Sequence, residues 1–329
     1  MIFAISLFCS DANAATPSAI SALLVAPPWD DADREVPDRG ARFAEAAGFA
    51  WGDAPVSLEG GLDERANLWR DERGGVEIEV GLGGGFIVLR DHGGYNRFAG
   101  VYADVAPEEA DAVEATEALI QDLADAGFVE ADQLDFGRLR VAHRQFGLDR
   151  AASDSGDQRR EVLGPFVADT RITVPRVIDG VQVAGEGVEV VWGAGLSLDL
   201  VNLQWRDVES VTDVMPVVDG LAGAWERTGV ADELTSDQSV HTYFGEVVYA
   251  DLNLEADALY LAPVWLFVYR IDTPVGDGVI VTGKKQIAAV SVDGSVFELL
   301  PSESADLSRS DTIRSQLPEP TPANTTEEE

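Results

Sequence analysis

Read along the chain, apolar and polar positions alternate in some stretches and recur at helical spacing in a few others. Val76–Val80 alternates with the period of a half-buried strand. Gly81–Gly85 follows as a turn, and Phe86–Leu89 reads as the return strand. Gly93-Gly94 begins another turn before Phe98–Val105, so residues 66–105 read as antiparallel strands. Pro107–Gly127 is the clearest helix. Pro107 suits a first-turn position, and Glu108, Glu109 and Asp111 complement the N-terminal dipole. Val113, Ile120, Leu123 and Ala124 share one face. Gly127 stands where a C-terminal cap belongs, with Phe128-Val129 folding back onto the last turn.

Beyond a polar loop at residues 149–161, Arg171–Val177 reads as a strand, and Asp179-Gly180 as a tight turn. Val181–Val183 follows, Gly185-Glu186-Gly187 breaks the run, and Val188–Trp192 resumes it. After a Gly193-Ala194-Gly195 turn, Leu196–Trp205 alternates, with Leu196, Leu198, Leu200, Leu203 and Trp205 expected inward. Residues 216–250 read as helical or mixed: Ser236 would cap a helix with Val240, Phe244 and Val247 on one face. Strands return at Leu259–Arg270, Val279–Thr282, Gln286–Val292 and Val296–Leu299. They are separated by turns at Gly276–Gly278, Gly283-Lys284 and Asp293-Gly294. Strand runs with few helices between them predict an α+β fold of antiparallel sheets, each covered on one face by helices. The expected divisions are a signal peptide at 1–14, a linker at 15–50, a β-rich segment at 51–106, α+β modules at 107–215 and 216–300, and a disordered acidic tail at 301–329.

Charge narrows the function classes. The 329 residues carry 59 acids against 23 bases, a net charge of -36. A nucleic-acid binder needs a basic face, and an anionic membrane attracts basic segments, so neither is an expected partner. No apolar run reaches the ~18 residues of a spanning helix. Met1–Cys9 is almost wholly apolar, and Ala12-Asn13-Ala14 has the small-x-small form of a cleavage site, although no basic residue precedes it. Export follows as the expectation, with an extracytoplasmic location and no membrane insertion of the mature form. Cys9 is the only cysteine, so cleavage after Ala14 leaves no thiol and no disulfide. Lys284 and Lys285 are the only lysines; the other bases are arginine, a usage that points to a GC-rich bacterial source.

Candidate chemistry is sparse. Gly278-x4-Gly283-Lys284 approaches a phosphate-binding loop, but Lys285 replaces the magnesium-binding hydroxyl and strand follows instead of a helix. Gly81–Gly85 lacks dinucleotide-loop spacing. His92, His143 and His241 are far apart in sequence and form no metal-ligand motif. Asp30, Asp31 and Asp33 lack the glycine turn and distant glutamate of a calcium loop. Pairs such as Glu186 with Glu189, or Asp207 with Glu209, are what 59 acids produce by number. No cofactor and no catalytic residue is assigned. Trp192, Trp205 and Trp265 lie in expected strands. Core is the first reading for them, and an aromatic partner-binding groove the second.

The block Arg176-Val-Ile-Asp-Gly-Val-Gln-Val-Ala-Gly-Glu-Gly-Val-Glu-Val190 resembles the DG-turn hairpin of PepSY and fungalysin/thermolysin-propeptide domains. Leu198–Trp205 would be the strand after the next turn, and Leu261–Val268 is similar to the closing strand of such modules. Gln182 stands where the family has proline. The resemblance spans about residues 107–300 and implies PepSY-like repeats without catalytic residues of their own. It also implies a protein or peptide partner, such as a protease or sensor protein, acted on in trans. The expected function is therefore an exported, non-enzymatic protein-binding module. A partner strand could be added at exposed edges of the 171–205 sheet. The alternatives are a secreted hydrolase that gathers His92, His143 or His241 with acids in a pocket, and an envelope protein that binds calcium weakly.

Overall fold

A computed structural model describes residues 6–7, 18–25, 32–53, 61–63, 68–81, 85–95, 106–151, 160–251, 260–276 and 279–294. The chain divides into two compact units. One comprises residues 19–215 and 247–263. The other comprises 1–18, 216–246 and 264–329.

In the larger unit the strands are β2 (Ala19–Val25), β3 (Leu62–Asp63), β4 (Leu68–Arg73), β5 (Val76–Gly81), β6 (Phe86–Asp91), β7 (Arg140–Ala151), β8 (Arg160–Ile178), β9 (Val181–Trp192), β10 (Leu198–Gln204) and β11 (Val208–Pro216). β4, β5, β6, β10, β9, β8 and β7 neighbour one another in that order, all antiparallel. Helices α1 (Ala32–Ala46) and α3 (Glu109–Asp125) lie on one face of this array, with the short α2 (His92–Tyr95) after β6. Val36, Phe43 and Ala44 of α1, and Leu119, Ile120 and Leu123 of α3, close a core over Trp69, Ile78, Val80, Leu89, Val190 and Val201. Gly40 lets α1 approach, since a Cβ there would meet the Trp69 ring at 2.8 Å. The end of α3 is the double bond pattern that a left-handed glycine permits. Gly127 has φ +77°, its N–H reaches the Ala124 carbonyl, and the Phe128 N–H reaches Leu123. Phe128 then meets Phe43 edge-on at 5.1 Å.

In the smaller unit β1 (Ser6–Leu7) pairs in parallel with β12 (Ser239–Asp251) at His241 and Thr242. β13 (Tyr260–Gly276) and β14 (Val279–Ser291) form a long antiparallel hairpin. Helix α4 (Leu221–Arg227) sets Trp225 edge-on to Phe267 at 5.2 Å and Tyr269 at 5.4 Å. β12 and β13 continue into the larger unit. There β12 runs parallel to β9 at Val248 and Tyr249, and β13 pairs with β2 at Tyr260 and Leu261.

Separate antiparallel sheets, each under its own helices in PepSY-like repeats, are therefore not the architecture. The strands among the described residues join one mixed sheet of fourteen, with α1 and α3 packed together on one unit's core. The physical reason lies in two glycine sites that read as breaks. Gly187 (φ +139°) lies so close to the Val174 carbonyl that a Cβ would clash, beside Pro175, which has no N–H for the ladder. The register shifts there, and β9 continues through it. Gly283 sits under the Ile271 carbonyl in the same way, and β14 runs on through Lys284 and Lys285. Both are bulges inside long strands and not turns between short ones.

Three further expectations change. Residues 15–50 contain β2 and α1 with buried side chains, not only a linker. The helix expected from Ser236 is strand β12; Thr235–Gln238 is a turn closed by the Gln238 N–H on the Thr235 carbonyl. In β10 the inward residues are Asp199, Val201 and Leu203, with Trp205 after it, while Leu198 and Leu200 are half-buried and Leu196 is exposed. Phe98–Val105, Val296–Leu299, the tail at 301–329, Asp30, Asp31 and most of 1–14 lie outside the described residues.

Candidate functional site

The three tryptophans singled out from sequence are core residues. Trp192, Trp205 and Trp265 are each under a tenth exposed. Trp192 donates its indole N–H to Thr116 Oγ1 at 2.8 Å, and the Thr116 hydroxyl donates on to the Ala112 carbonyl. Trp205 carries the Arg176 guanidinium 4.0 Å from its ring centroid. Trp265 stacks on Phe267 at 6.4 Å. They line no shared groove.

Arg176 is 1% exposed and held on every side. It donates to Gln133 Oε1 at 2.8 Å, to Glu186 Oε2 at 2.7 Å and to the Arg206 carbonyl at 2.6 Å. Glu186 also accepts from Arg206 Nε at 2.6 Å. A buried ion pair braced by further hydrogen bonds fixes the geometry around it. This network clamps the β8–β9 hairpin.

On the larger unit, the sheet face opposite the helices is polar. Across its strands the register aligns Arg70, Glu79, Val88, Asn202, Glu189, Thr173 and Arg140 in one row. Glu77 pairs with Arg70 at 2.8 Å and Arg90 at 3.7 Å, and its carboxylate accepts from the His92 Nε2–H at 3.0 Å. Glu79 pairs with Arg70 and, at 2.9 Å, with Arg90. Burial pushes the Glu189 carboxyl up, opposed by Arg171. Burial does the same at Asp169, opposed chiefly by Arg144. The acids lie low and the guanidiniums extend over them, so the lattice largely neutralises itself.

The histidines that the hydrolase alternative would gather each have a local partner. His92 meets Glu77, His143 meets Thr170 Oγ1 at 3.2 Å, and His241 meets Asp272 at 3.2 Å. His92 begins α2 directly after β6 and His143 is on β7, with β10, β9 and β8 between those strands, and His241 belongs to the smaller unit. Two hollows stand out. A slot between Arg39, Gly85, Phe86, Leu203 and Trp205 has no room for a water molecule. An open shelf on α3 is lined by Glu109, Ala110, Val113, Glu114 and Glu117. Neither contains a histidine. Among the described residues no three metal-ligating side chains converge, and no helix is long and apolar enough to cross a membrane.

The edges of the 171–205 sheet are closed by the chain itself. β8 pairs with β7 and β9, β9 with β8 and β10, and β10 with β9 and β6. The strand-addition site expected there does not exist. A one-sided strand lies instead in the smaller unit: among the described residues β14 pairs only with β13. Ile280 and Val281 are more than half exposed on it, with Val275 at the end of β13. Beside it Tyr243 is 43% exposed. Lys285 Nζ lies 5.0 Å and Arg270 Cζ 5.6 Å from its ring centroid. Arg270 in turn holds Asp272 at 2.8 Å. The sequence reading does not single out this surface; its signal is the Lys284-Lys285 pair, of which Gly283-Lys284 reads as a hairpin turn.

No family model matches the sequence, and no curated protein matches it. Among solved structures, an uncharacterized protein from Eubacterium rectale ATCC 33656 aligns with a TM-score of 0.48 at 10% identity, covering 87% of this chain and 88% of that one.

Proposed function

We propose that the protein is an exported, non-enzymatic module that binds another protein, and that β14 is where an extended segment of the partner docks. The observation that carries the reading is the one-sided pairing of β14 beside exposed Ile280, Val281 and Val275. An unpaired strand edge offers a row of backbone donors and acceptors, and flanking apolar side chains supply area to bury. The partner class, a protease or a sensor protein, comes from the resemblance to propeptide and PepSY modules. Export rests on the apolar Met1–Cys9 run and the Ala12-x-Ala14 site.

The test is capture in the native host with a C-terminally tagged chain after light crosslinking. One stoichiometric partner should appear, be lost with Ile280→Asp and Val281→Asp, and remain with Leu62→Asp. Leu62 is an exposed control position in the larger unit. A partner retained equally by all three variants would refute β14 as the site, and the absence of any partner would refute the binding reading.

A further inference from the structure

Resting on that reading, we infer that the segment accepted by β14 is acidic, with two adjacent carboxylates facing Lys284 and Lys285. The chain has 59 acids and only two lysines. Both lysines are adjacent, exposed and on the one-sided strand. Among the described residues neither makes an ion pair. Lys285 is instead held over the Tyr243 ring, an arrangement that fixes its position without neutralising it. Arg270, one strand inward and directly opposite Lys285 in register, is already engaged by Asp272.

Lysines and a bulge on an edge strand also serve to prevent unwanted pairing. Here that is the other half of the same device. An antiparallel second copy centred on this pair brings lysine against lysine, and a basic strand is repelled. An acidic strand meets two cations that make no ion pair among the described residues. Selection of this kind combines an attractive element with a repulsive one.

The register makes the partner's pattern explicit. In antiparallel pairing, residues directly opposite one another interact. A partner residue facing Lys285 is followed by one facing Lys284, and the next positions run toward Val281 and Ile280. The accepted segment therefore reads, from its N-terminus, apolar opposite Ile287, any residue, acidic, acidic, any two residues, apolar, apolar. The bulge at Gly283-Lys284 returns Ile280 and Thr282 to the face of Lys285, because Asp272 pairs with Thr282 and Arg270 with Lys285. Lys285, Thr282 and Ile280 thus lie on one face of β14.

The test uses the full chain and end-capped fluorescent peptides read by anisotropy. The acidic probe is Val-Thr-Glu-Glu-Thr-Thr-Val-Val; the others replace Glu-Glu by Gln-Gln or Lys-Lys. The acidic probe should bind about tenfold or more tightly than the Gln-Gln probe, and weaken with salt. Lys284→Glu with Lys285→Glu should invert the preference toward the Lys-Lys probe. Equal affinity for the acidic and Gln-Gln probes would overturn the charge selection and leave edge docking standing. No binding of any probe up to about 1 mM, where ΔG is only about −4 kcal/mol, would overturn both. A photocrosslinker at Gln286 that captures residues 301–329 of the same chain, or a second copy, would overturn a partner in trans.

Discussion

Removing the charge of Glu186 should destabilise the larger unit more than removing Arg176, although Arg176 is the more fully wrapped residue. Glu186 serves two guanidiniums, Arg176 at 2.7 Å and Arg206 at 2.6 Å. Glu186→Gln keeps the shape and strands Arg176, 1% exposed, with no carboxylate. Breaking a buried pair in this way costs about 3–5 kcal/mol. Arg176→Met fills much of the same volume over the Trp205 ring and leaves Glu186 bonded to Arg206. Its losses are the bonds to Gln133, to the Arg206 carbonyl and to Glu186, at about 1 kcal/mol each because Arg206 still neutralises that carboxylate. The expected order is wild type, Arg176→Met about 3 kcal/mol lower, then Glu186→Gln, which leaves two guanidiniums without a carboxylate. For a unit of this size each kcal/mol is worth about 2–4 °C, so Glu186→Gln should melt roughly 6–20 °C lower. Urea unfolding followed by tryptophan emission reads it, with an unchanged slope and a lowered midpoint. The reasoning fails if Arg176→Met proves the costlier change, or if Glu186→Gln lies within about 1 kcal/mol of wild type.

Other expectations follow from single contacts. Gly187→Ala should cost more than an ordinary glycine replacement, because φ is +139° and a Cβ would clash with the Val174 carbonyl; a soluble variant with an unshifted urea midpoint would contradict this. Phe128→Ala removes the ring that meets Phe43 at 5.1 Å and caps α3, and should lower stability by about 3–5 kcal/mol in the same assay. Burial, with Asp179 adding to it, raises the Tyr249 hydroxyl to about 12. The unfolded chain releases that proton near 10, so stability should fall between about pH 10 and 12; Tyr249→Phe should flatten that limb of the pH–stability curve. Burial also raises the Glu189 carboxyl, so the folded state holds its proton more tightly than the unfolded chain. Wild type should therefore gain on Glu189→Gln as pH falls through the raised value, read as the change in urea midpoint difference between pH 7.5 and about 4.5.

The elements legible in sequence are those whose local chemistry and burial agree. Helix α3 has Glu109 and Asp111 in its first turn, Ile120 and Leu123 buried on its inner face and the left-handed Gly127 just past its end, while Pro107, expected in the first turn, precedes the helix. β5 and β6 stand where the Val76–Val80 alternation and the apolar Phe86–Leu89 run place them. Helix α1 was harder to see. Its stripe of Val36, Gly40, Phe43, Ala44 and Ala47 is correctly spaced but small-sided, interrupted by Pro37 and crowded by charge. β12 carries apolar residues at both spacings, and Val240, Phe244 and Val247 satisfied the helical one. The β-branched and aromatic run Thr242-Tyr243-Phe244 and Val247-Val248-Tyr249 points to a strand instead.

The proposed docking edge is not legible from residues alone, because what defines it is that β14 pairs on one side only among the described residues. Lys284 and Lys285 were visible as the chain's only lysines, yet a glycine followed by lysine reads equally as a turn or as a bulge. The register decides between them: Arg270 opposes Lys285 and Asp272 opposes Thr282, so one residue of β13 faces two of β14. A turn would have ended the strand at Thr282 and left the lysines at a loop tip, where two cations carry no directional meaning. A bulge keeps them in an extended strand with backbone groups exposed on one side. There their charge is presented at a fixed spacing, with the Tyr243 ring setting the position of one of them. One extra residue in the ladder thus moves the same two residues from a loop tip into an extended strand, the arrangement on which the proposed selection rests.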